Sequence, residues 1–260
     1  MAGFSAVDTA PDPARLVAFL DDSARAESGM KHYVAAAHGL RRPAAPVLDL
    51  GCGTGHDLSL LTGHGLRVVG VDPSVVMLQE AAKRLPHGMG SLVRATGEAL
   101  PFRDGCFGGC RVERLLMHVD DPAAVLAEVV RCLTPGGLIT VFEPDWSRFE
   151  VVSDVLPHAA AWISSARHPG VGGQLWPLLE QAGCEVLDRV EELSVWRSLG
   201  TLEAVAGFPD SVARAVERGR LADAQAQDWI DEQRRRDADG QFLARIPKIL
   251  VVAVKSPDRS

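Results

Sequence analysis

Apolar residues cluster along the chain in short runs that alternate with longer amphipathic segments. The runs are rich in β-branched residues, and several end at glycine or at Asp-Pro, as strands commonly do. The segments between them place apolar residues three and four positions apart, which is helical spacing. Strands that alternate with helices predict an α/β fold with a doubly wound, mostly parallel sheet. Strand candidates lie at 47–50, 67–72, 107–112, 138–142, 185–195 and 249–254.

Capping residues mark the ends of two of the predicted helices. Ser74 suits the N-cap of a helix over 74–85, because its hydroxyl can accept a hydrogen bond from the first turn. Asp121 followed by Pro122 is typical of an N-cap and first helical position. The sequence Pro-Gly-Gly at 135–137 stops this second helix before the next strand.

The pattern divides the chain into four parts. They are a helical N-terminal cap at 1–43, an α/β core at 44–195, a helical insertion at 196–245, and the last core strand with its tail at 246–260. We expect two of these parts, the N-terminal cap and the insertion, to form a lid over a ligand. The cap carries Tyr33, the only tyrosine of the chain. Trp229 and the arginines at 234–236 are expected on a solvated helix face.

Composition narrows the class of protein. With 260 residues, 47% hydrophobic and 23% charged, the chain can bury a sizeable core and is not disordered over most of its length. The formal net charge of −7 disfavours a nucleic-acid partner, since such domains usually carry a basic face. The five cysteines show no metal-ligand spacing, so no metal is expected. No apolar run is long enough for a membrane span and no signal peptide is evident, which predicts a cytoplasmic protein without membrane contact.

The strongest chemical signal is a glycine loop between the first strand and the helix after it. Its sequence, Asp-Leu-Gly-Cys-Gly-Thr-Gly at 49–55, lets the backbone turn sharply and approach a ligand closely. Asp72 closes the next strand, where a carboxylate can accept hydrogen bonds from ribose hydroxyls. The third glycine comes one position earlier than in the dinucleotide fingerprint, and Asp49 suits a cationic ligand better than a pyrophosphate.

With these residues the sequence resembles the class I S-adenosyl-L-methionine (SAM) dependent methyltransferases. Within them it is similar to the small-molecule branch of the ubiquinone and menaquinone C-methyltransferases. The resemblance implies a Rossmann-like sheet of seven strands whose last strand is antiparallel. It rests on four motifs in order: V-L-D-L-G-C-G-T-G at 47–55, V-V-G-V-D-P-S at 68–74, G-E-A-L-P-F at 97–102 and L-T-P-G-G-L-I-T-V-F-E-P at 133–144.

The resemblance also implies SAM as the cofactor, S-adenosylhomocysteine (SAH) as the product, and a set of cofactor-binding residues. Two positions depart from the family: Thr96 stands where an acid often contacts the adenine amine, and Gly108 stands where aspartate is usual. The implied contacts are Asp49, Gly51 and Gly53 with the methionine part, Asp72 with the ribose, Pro73 and Met77 with the adenine, Thr96, Gly97 and Glu98 with the adenine edge, and Arg111 and Val112 along the cofactor.

Candidate catalytic residues follow the fourth and fifth strands, where ligands bind in such sheets. His118 either has the role of a general base near neutral pH, to which its side chain is suited, or starts the next helix and hydrogen-bonds the backbone. Glu113 and Arg114 form either a structural ion pair or a substrate clamp, because charged groups there are costly to bury unpaired. Glu143 is a candidate for binding an amine or a hydroxyl.

Together these features predict an enzyme that methylates oxygen, nitrogen or carbon of a small organic molecule. The high content of Ala, Arg and Pro is compatible with bacterial secondary metabolism. A monomer or a homodimer is expected. Three alternatives remain open: a SAM-binding enzyme of the same fold that catalyses a non-methylating reaction such as cyclisation, an NAD-dependent oxidoreductase, and a non-enzymatic SAM sensor.

Overall fold

The computed structural model describes residues 7–8, 12–26, 28–156, 166–206 and 208–257. The helices are α1 (Pro13–Ala26), α2 (Ser28–Arg41), α3 (His56–Gly63), α4 (Val75–Arg84), α5 (Pro122–Cys132), α6 (Val171–Gln181), α7 (Leu199–Ala206), α8 (Phe208–Glu217) and α9 (Asp223–Ala238). The strands are β1 (Val47–Leu50), β2 (Val68–Asp72), β3 (Gly90–Arg94), β4 (Phe107–Glu113), β5 (Leu133–Pro144), β6 (Glu150–Val151), β7 (Cys184–Trp196) and β8 (Ala244–Lys255).

All strands belong to one sheet whose order is β3-β2-β1-β4-β5-β8, with β7 on the far side of β8. The first five strands run parallel, whereas β8 is antiparallel to both β5 and β7. The two-residue strand β6 pairs with the start of β8 and raises the number of strands to eight. The predicted mostly parallel sheet with an antiparallel last strand is therefore confirmed.

Helices cover both faces of the sheet, as the doubly wound prediction requires. Successive residues of β1 belong to different cores: Val47 packs with α3 residues such as Leu58, and Leu48 packs with α5 residues such as Val125. This alternation follows from the two-residue period of a strand. The carboxyl ends of the parallel strands thus lie at one edge of the sheet, between the helical layers.

The predicted capping residues occupy the positions expected of them. The Ser74 side chain accepts a hydrogen bond from the Met77 amide at 3.2 Å. The Asp121 carboxylate accepts hydrogen bonds from the amides of Ala123 and Ala124, with Pro122 in the first turn. Caps of this kind depend on local sequence alone, which is why they could be anticipated.

Strand β3 was not anticipated from the sequence. It lies at the edge of the sheet, and all five of its residues are exposed or half-buried. Only Leu92 and Val93 are apolar within it. An edge strand of this composition lacks both the alternating and the continuous apolar pattern by which buried strands are recognised.

The helices between β7 and β8 enclose a second apolar core, and one expectation about them is wrong. Trp229 is fully buried there, in a cluster with Leu202, Phe242 and Ile246, rather than on a solvated face. Phe242, just before β8, and Ile246, within β8, provide the apolar surface against which Trp229 packs. Helix α1 contacts α7, so the N-terminal helices and the insertion touch one another. The boundaries between the four segments stay predictions.

Helix α2 and the residues that follow it pack closely on β4, and this packing accounts for one departure from the family pattern, Gly108. A Cβ atom at Gly108 would lie 2.4 Å from Cβ of Pro43, and one at Gly109 would lie 2.8 Å from Nδ1 of His38. The His38 ring is buried and its Nε2 lies 3.0 Å from the Thr140 hydroxyl. The glycine pair therefore lets α2 and the residues after it approach the strand closely.

Among the described helices, none combines the length and the apolar composition that a membrane span requires.

We expect Gly108→Ala to destabilise the fold by about 1–3 kcal/mol, because the added methyl group overlaps Pro43. Gly63→Ala is the matched control, since a Cβ there meets no atom within 4 Å. Urea unfolding of both variants measures the difference. Equal stability of the two variants would show that the linker around Pro43 moves freely and does not constrain β4.

Candidate active site

The glycine loop after β1 adopts a conformation that only glycine enters easily. Gly51, Gly53 and Gly55 have φ angles of 75°, 49° and 79°. A Cβ atom at Gly55 would also lie 2.7 Å from Cα of Ala81 in α4. The loop therefore turns tightly and lets α3 and α4 pack closely. It leaves the backbone of residues 51–53 at the carboxyl end of β1.

The Asp72 carboxylate at the end of β2 ties the glycine loop to the start of α4. Its Oδ2 accepts a hydrogen bond from the Gly53 amide at 3.0 Å, and its Oδ1 accepts one from the Ser74 amide at 2.9 Å. Burial raises the pKa of Asp72, and these two amide hydrogen bonds oppose the rise. The carboxylate is held in one orientation beside the loop, at the position predicted to hold a ribose.

A buried network of charges lies at the carboxyl ends of β1 and β4. Arg111 faces its register partner Asp49 on the neighbouring strand, and its Nη1 lies 2.8 Å from Asp49 Oδ1. Its Nη2 lies 2.7 Å from Asp57 Oδ2 and also contacts Glu113 Oε2. Lys31 of α2 completes the network, with Nζ at 2.9 Å from Asp57 and 2.5 Å from Glu113.

The surroundings of the network shift the pKa values of two of its carboxylates, Asp49 and Glu113, in opposite directions. Burial raises the pKa of Asp49 to about 6, although Arg111 pulls it down. Burial would also raise the pKa of Glu113, but Arg111 and Lys31 together hold it well below its usual range. Asp49 Oδ2 and Asp57 Oδ1 are buried and accept no hydrogen bond from any described residue. Two acceptor atoms next to the glycine loop are thus left for a ligand.

Helix α1 and the residues before it close over this edge of the sheet. Asp21 accepts a hydrogen bond from the Thr54 hydroxyl at 2.7 Å and pairs with Arg84 at 2.5 Å. Ser23 accepts a hydrogen bond from Arg114. Asp8 accepts hydrogen bonds from the Ser74 hydroxyl and from two amides at the start of α4. The N-terminal segment is therefore fastened to the glycine loop by polar contacts.

The residues predicted to surround an adenine are close to the glycine loop but differ in exposure. Met77 is buried against Val7 and Leu16 of the N-terminal segment. Pro73 and Thr96 are exposed, and Glu98 Oε1 accepts a hydrogen bond from the Asp120 amide at 3.4 Å. Gly97 is buried beside Val125, and Val112 is fully buried in β4. Their contacts with a cofactor stay predictions.

The chain turns sharply after β4, where the catalytic candidates begin. Arg114 has a φ angle of 49°, an uncommon conformation for a non-glycine residue, and its amide donates to the Phe142 carbonyl at 3.0 Å. Glu143 Oε1 accepts hydrogen bonds from the amides of Leu115 and Leu116 at 2.7 and 2.6 Å. Glu143 thus fixes the loop that carries the other candidates.

Burial shifts the pKa values of two catalytic candidates away from their ordinary range. Glu143 is fully buried, and burial raises its pKa to about 8 despite the two amide donors. Its Oε2 accepts no hydrogen bond from any described residue. Burial and the nearby Arg114 lower the pKa of His118 to about 4. At neutral pH the imidazole is therefore uncharged, whereas Glu143 retains a proton.

Comparisons with known proteins place the chain in a family. Residues 48–141 match the methyltransferase domain. A protein in transposon TN4556 of Streptomyces fradiae, 37.1 kDa in mass and itself uncharacterised, is 32% identical over 252 residues, covering 93% of this chain and 72% of that protein. The demethylmenaquinone methyltransferase of Beutenbergia cavernae is 37% identical over 116 residues, 43% of this chain and 47% of that enzyme. The chain belongs to the class I SAM-dependent methyltransferases.

Solved structures agree with this assignment at the level of the fold. The YcgJ protein from Bacillus subtilis superposes with a TM-score of 0.62 at 17% identity, covering 88% of this chain and 99% of that one. The (4+2)-cyclase SpnF superposes with a TM-score of 0.54 at 20% identity, covering 86% of this chain and 80% of that one. This methyltransferase thus shares its fold with a protein that is described as a cyclase.

The structure brings together sequence candidates and residues that the sequence did not single out. Three of the sequence candidates, Asp49, Arg111 and Glu113, contact one another in a single network. The sequence motifs did not predict these contacts. Lys31 and Asp57 were missed. Asp57 had a local signal, because it is an acidic residue in the first turn after the glycine loop. Lys31 had no such signal in the sequence, because it lies far from the motifs.

We searched the described residues of this methyltransferase for metal sites. Among them, no group of three or more His, Cys, Asp or Glu side chains is arranged to hold a metal ion. The carboxylates Asp49, Asp57 and Glu113 are instead engaged with Arg111 and Lys31. Two cations therefore offset most of the negative charge of these three carboxylates.

We expect Lys31→Met to destabilise the methyltransferase by about 3–5 kcal/mol, because it leaves buried carboxylates without one of their cations. The matched control is Lys83→Met, which removes an exposed pair with Glu80 at 2.6 Å and should cost less than about 1 kcal/mol. Urea unfolding at neutral pH provides both values. Similar losses in the two variants would contradict a stabilising role for the network.

We expect Glu143→Gln to change how stability depends on pH. The pKa of Glu143 in the folded protein, about 8, exceeds its ordinary value of 4.5, so between these two pH values the folded protein binds more protons than the unfolded one. Wild-type stability should therefore fall relative to the variant as pH rises from about 5 to about 8, by at most about 1.4 kcal/mol per pH unit. Urea unfolding across this range measures the difference, and parallel profiles would contradict the raised pKa.

Proposed function

We propose that this methyltransferase transfers the methyl group of SAM to oxygen, nitrogen or carbon of a small organic molecule. The observation that carries the proposal is Asp49. It lies two residues before Gly51, is fully buried, and has an Oδ2 atom that accepts no hydrogen bond from any described residue. Such an acceptor suits the ammonium group of a methionine moiety and disfavours a pyrophosphate.

The residues around the glycine loop fit SAM. Asp49 and the backbone at Gly51 and Gly53 would hold the methionine part, and Asp72 would accept hydrogen bonds from the ribose. Pro73, Met77 and the stretch 96–98 would surround the adenine, with Arg111 and Val112 along one side. Met77 already packs against Val7 and Leu16, so an adenine contact there requires these residues to give way.

SAM supplies an activated methyl group, so the protein's task is to align an acceptor, exclude water and move a proton where needed. The N-terminal helices and the helices at 199–238 would exclude water from the acceptor. His118 is the candidate for accepting the proton that a hydroxyl or amine acceptor releases. Its lowered pKa of about 4 keeps the imidazole free of a proton at neutral pH, although it also makes the imidazole a weaker base. Glu143 retains its proton at pH 7 and would donate a hydrogen bond from Oε2 rather than act as the base.

Glu113 and Arg114 fit positioning roles. Two cations hold Glu113, and its depressed pKa makes it a poor proton acceptor. Arg114 reaches back to Ser23 and to Glu113 Oε1 at 3.7 Å, which favours the structural ion pair over a substrate clamp. We further infer a cytoplasmic protein, monomeric or homodimeric, without nucleic-acid or membrane partners.

A second candidate is a non-methylating reaction such as cyclisation, in which SAM remains intact. The specific observation in its favour is that the fold superposes on that of SpnF, a cyclase. Turnover separates the two functions, because methyl transfer releases one SAH per product and cyclisation releases none. Screening small acceptors for SAH release therefore tests both.

We expect micromolar binding of SAM and SAH and no binding of NAD in titration calorimetry. Asp72→Ala should weaken SAH binding tenfold or more, equivalent to about 1.4 kcal/mol or above, because a charged acceptor for the ribose is lost. Asp104→Ala, which removes an exposed carboxylate beside Arg131, is the control and should bind SAH as the wild type does. Unchanged affinity in Asp72→Ala would overturn the ribose assignment, and NAD binding would favour the oxidoreductase.

A further inference from the structure

Asp57 lies in the first turn of α3, two residues after Gly55, and its two carboxylate oxygens have different surroundings. Oδ2 contacts two cations of the network, Arg111 Nη2 at 2.7 Å and Lys31 Nζ at 2.9 Å. Oδ1 is buried and accepts no hydrogen bond from any described residue. The two cations therefore fix the orientation of the carboxylate through one oxygen and leave the other oxygen available.

Asp49 presents a second acceptor of the same kind. It is fully buried in β1, and its Oδ1 lies 2.8 Å from Arg111 Nη1. Its Oδ2 accepts no hydrogen bond from any described residue. Asp49 and Asp57 thus each use one oxygen to contact a different terminal nitrogen of the same guanidinium group. The two remaining oxygens belong to carboxylates that flank a single planar group.

Positive charge is distributed unevenly over the network. Burial raises the pKa of Asp49 to about 6, Arg111 opposes the rise, and the neighbouring charge of Asp57 adds to it. Three cations, by contrast, surround Glu113 and hold its pKa well below its usual range, although burial alone would raise it. These cations are Arg111, Lys31 and Arg114. A further positive charge is therefore most favourable beside Asp49 and Asp57, which repel one another.

An ammonium group has the chemistry that matches two such oxygens. It carries one positive charge and three N–H donors, so it can donate to two carboxylates at once. A hydroxyl has a single donor and brings no charge. A buried carboxylate oxygen without a donor costs free energy, which a bound ammonium recovers. SAM and SAH carry one ammonium group in their methionine part, which the proposed function assigns to Asp49.

We propose that Asp57 is a second binding residue for the ammonium group of SAM and acts together with Asp49. The inference rests on the proposed function and adds to it a residue that lies outside all four sequence motifs. Asp57 Oδ1 and Asp49 Oδ2 accept hydrogen bonds from the ammonium, while Arg111 holds the opposite oxygen of each carboxylate. The charged network thereby takes part in recognition of the cofactor as well as in stability.

The test compares three ligands that share the adenosine and thioether parts of SAH and differ at the charged end. They are SAH, its analogue without the amino group and its analogue without the carboxylate. Each is titrated by calorimetry into the full-length wild type. SAH should bind at least about tenfold more tightly than the deaminated analogue, because removal of the amino group leaves two buried carboxylate oxygens without a donor. A smaller preference would overturn the proposal.

Asp57→Asn isolates the contribution of Asp57 to this preference. Asparagine keeps the size of the side chain and an oxygen for Arg111 and Lys31, but it presents an amide NH2 group in place of Oδ1 and carries no charge. The preference for SAH over the deaminated analogue should fall by about tenfold. SAH and the decarboxylated analogue should weaken by a similar factor, since both carry the ammonium. A fall in the preference of less than about threefold would overturn the proposal.

Two further variants separate direct contact from the effect of charge alone. Glu113→Gln removes the same charge from the same network, but both oxygens of Glu113 are engaged by cations. It should reduce the preference for the amino group less than Asp57→Asn does. Equal reductions in the two variants would overturn the direct contact. Asp104→Asn, which removes an exposed carboxylate beside Arg131, should bind all three ligands as the wild type does.

Asp57→Asn leaves Arg111 and Lys31 with Asp49 and Glu113 as charged partners, so the variant is expected to fold. Should it fail to fold, Asp57→Ser provides the same comparison, because its hydroxyl is also uncharged and can accept a hydrogen bond from Lys31.

Titration of the wild type with SAH alone distinguishes failure of this inference from failure of the proposed function. SAH binding with a preference for the amino group that Asp57→Asn leaves unchanged would overturn the role of Asp57 and leave the methyltransferase function standing. Absence of SAH binding to the wild type would overturn the proposed function itself.

Discussion

The buried guanidinium group of Arg111 is the interaction on which the site depends. A cation in the interior is tolerated only with carboxylates in good geometry around it, and here they come from separate elements: Asp49 from β1, Asp57 from α3 and Glu113 from β4. Three carboxylates around one arginine leave an excess of negative charge. Lys31 of α2 offsets part of it, so the N-terminal helices belong to the electrostatic balance of the sheet edge.

This arrangement gives the glycine loop a fixed base. Asp49 and Asp57 lie on either side of the loop, and both are held by Arg111. Asp72 holds the loop from the neighbouring strand through the Gly53 amide. The loop is thus fixed before any ligand arrives, which lowers the entropy that binding must overcome. The N-terminal segment, held by Asp8 and Asp21, has to accommodate the same ligand.

Sequence patterns predicted the features that depend on neighbouring residues. The caps at Ser74 and Asp121, the glycine loop and the antiparallel last strand follow from local signals or from a family resemblance carried by four motifs. Strand β3 was not predicted, because an exposed edge strand lacks the alternation of apolar and polar residues that marks a half-buried strand. Trp229 was placed wrongly, because two apolar residues that bury it, Leu202 and Phe242, lie outside its own helix.

The charged network could not be predicted for a related physical reason. Lys31 meets Glu113 across 82 positions of sequence, and no periodicity links them. Gly108, by contrast, was visible as a departure from the family, but its cause, close packing of Pro43, appears only in three dimensions. Long-range ion pairs and close approaches depend on the assembled fold, which a single sequence does not display.

The position of β8 has a consequence for biosynthesis. This strand fills the gap between β5 and β7, yet it follows every other strand and helix along the chain. Until residues 244–255 have left the ribosome, one edge of β5 has no partner over most of its length, and β7 has no strand beside it. A nascent chain therefore presents open sheet edges until β8 emerges, and chaperones that shield unpaired strands can protect these edges during that interval.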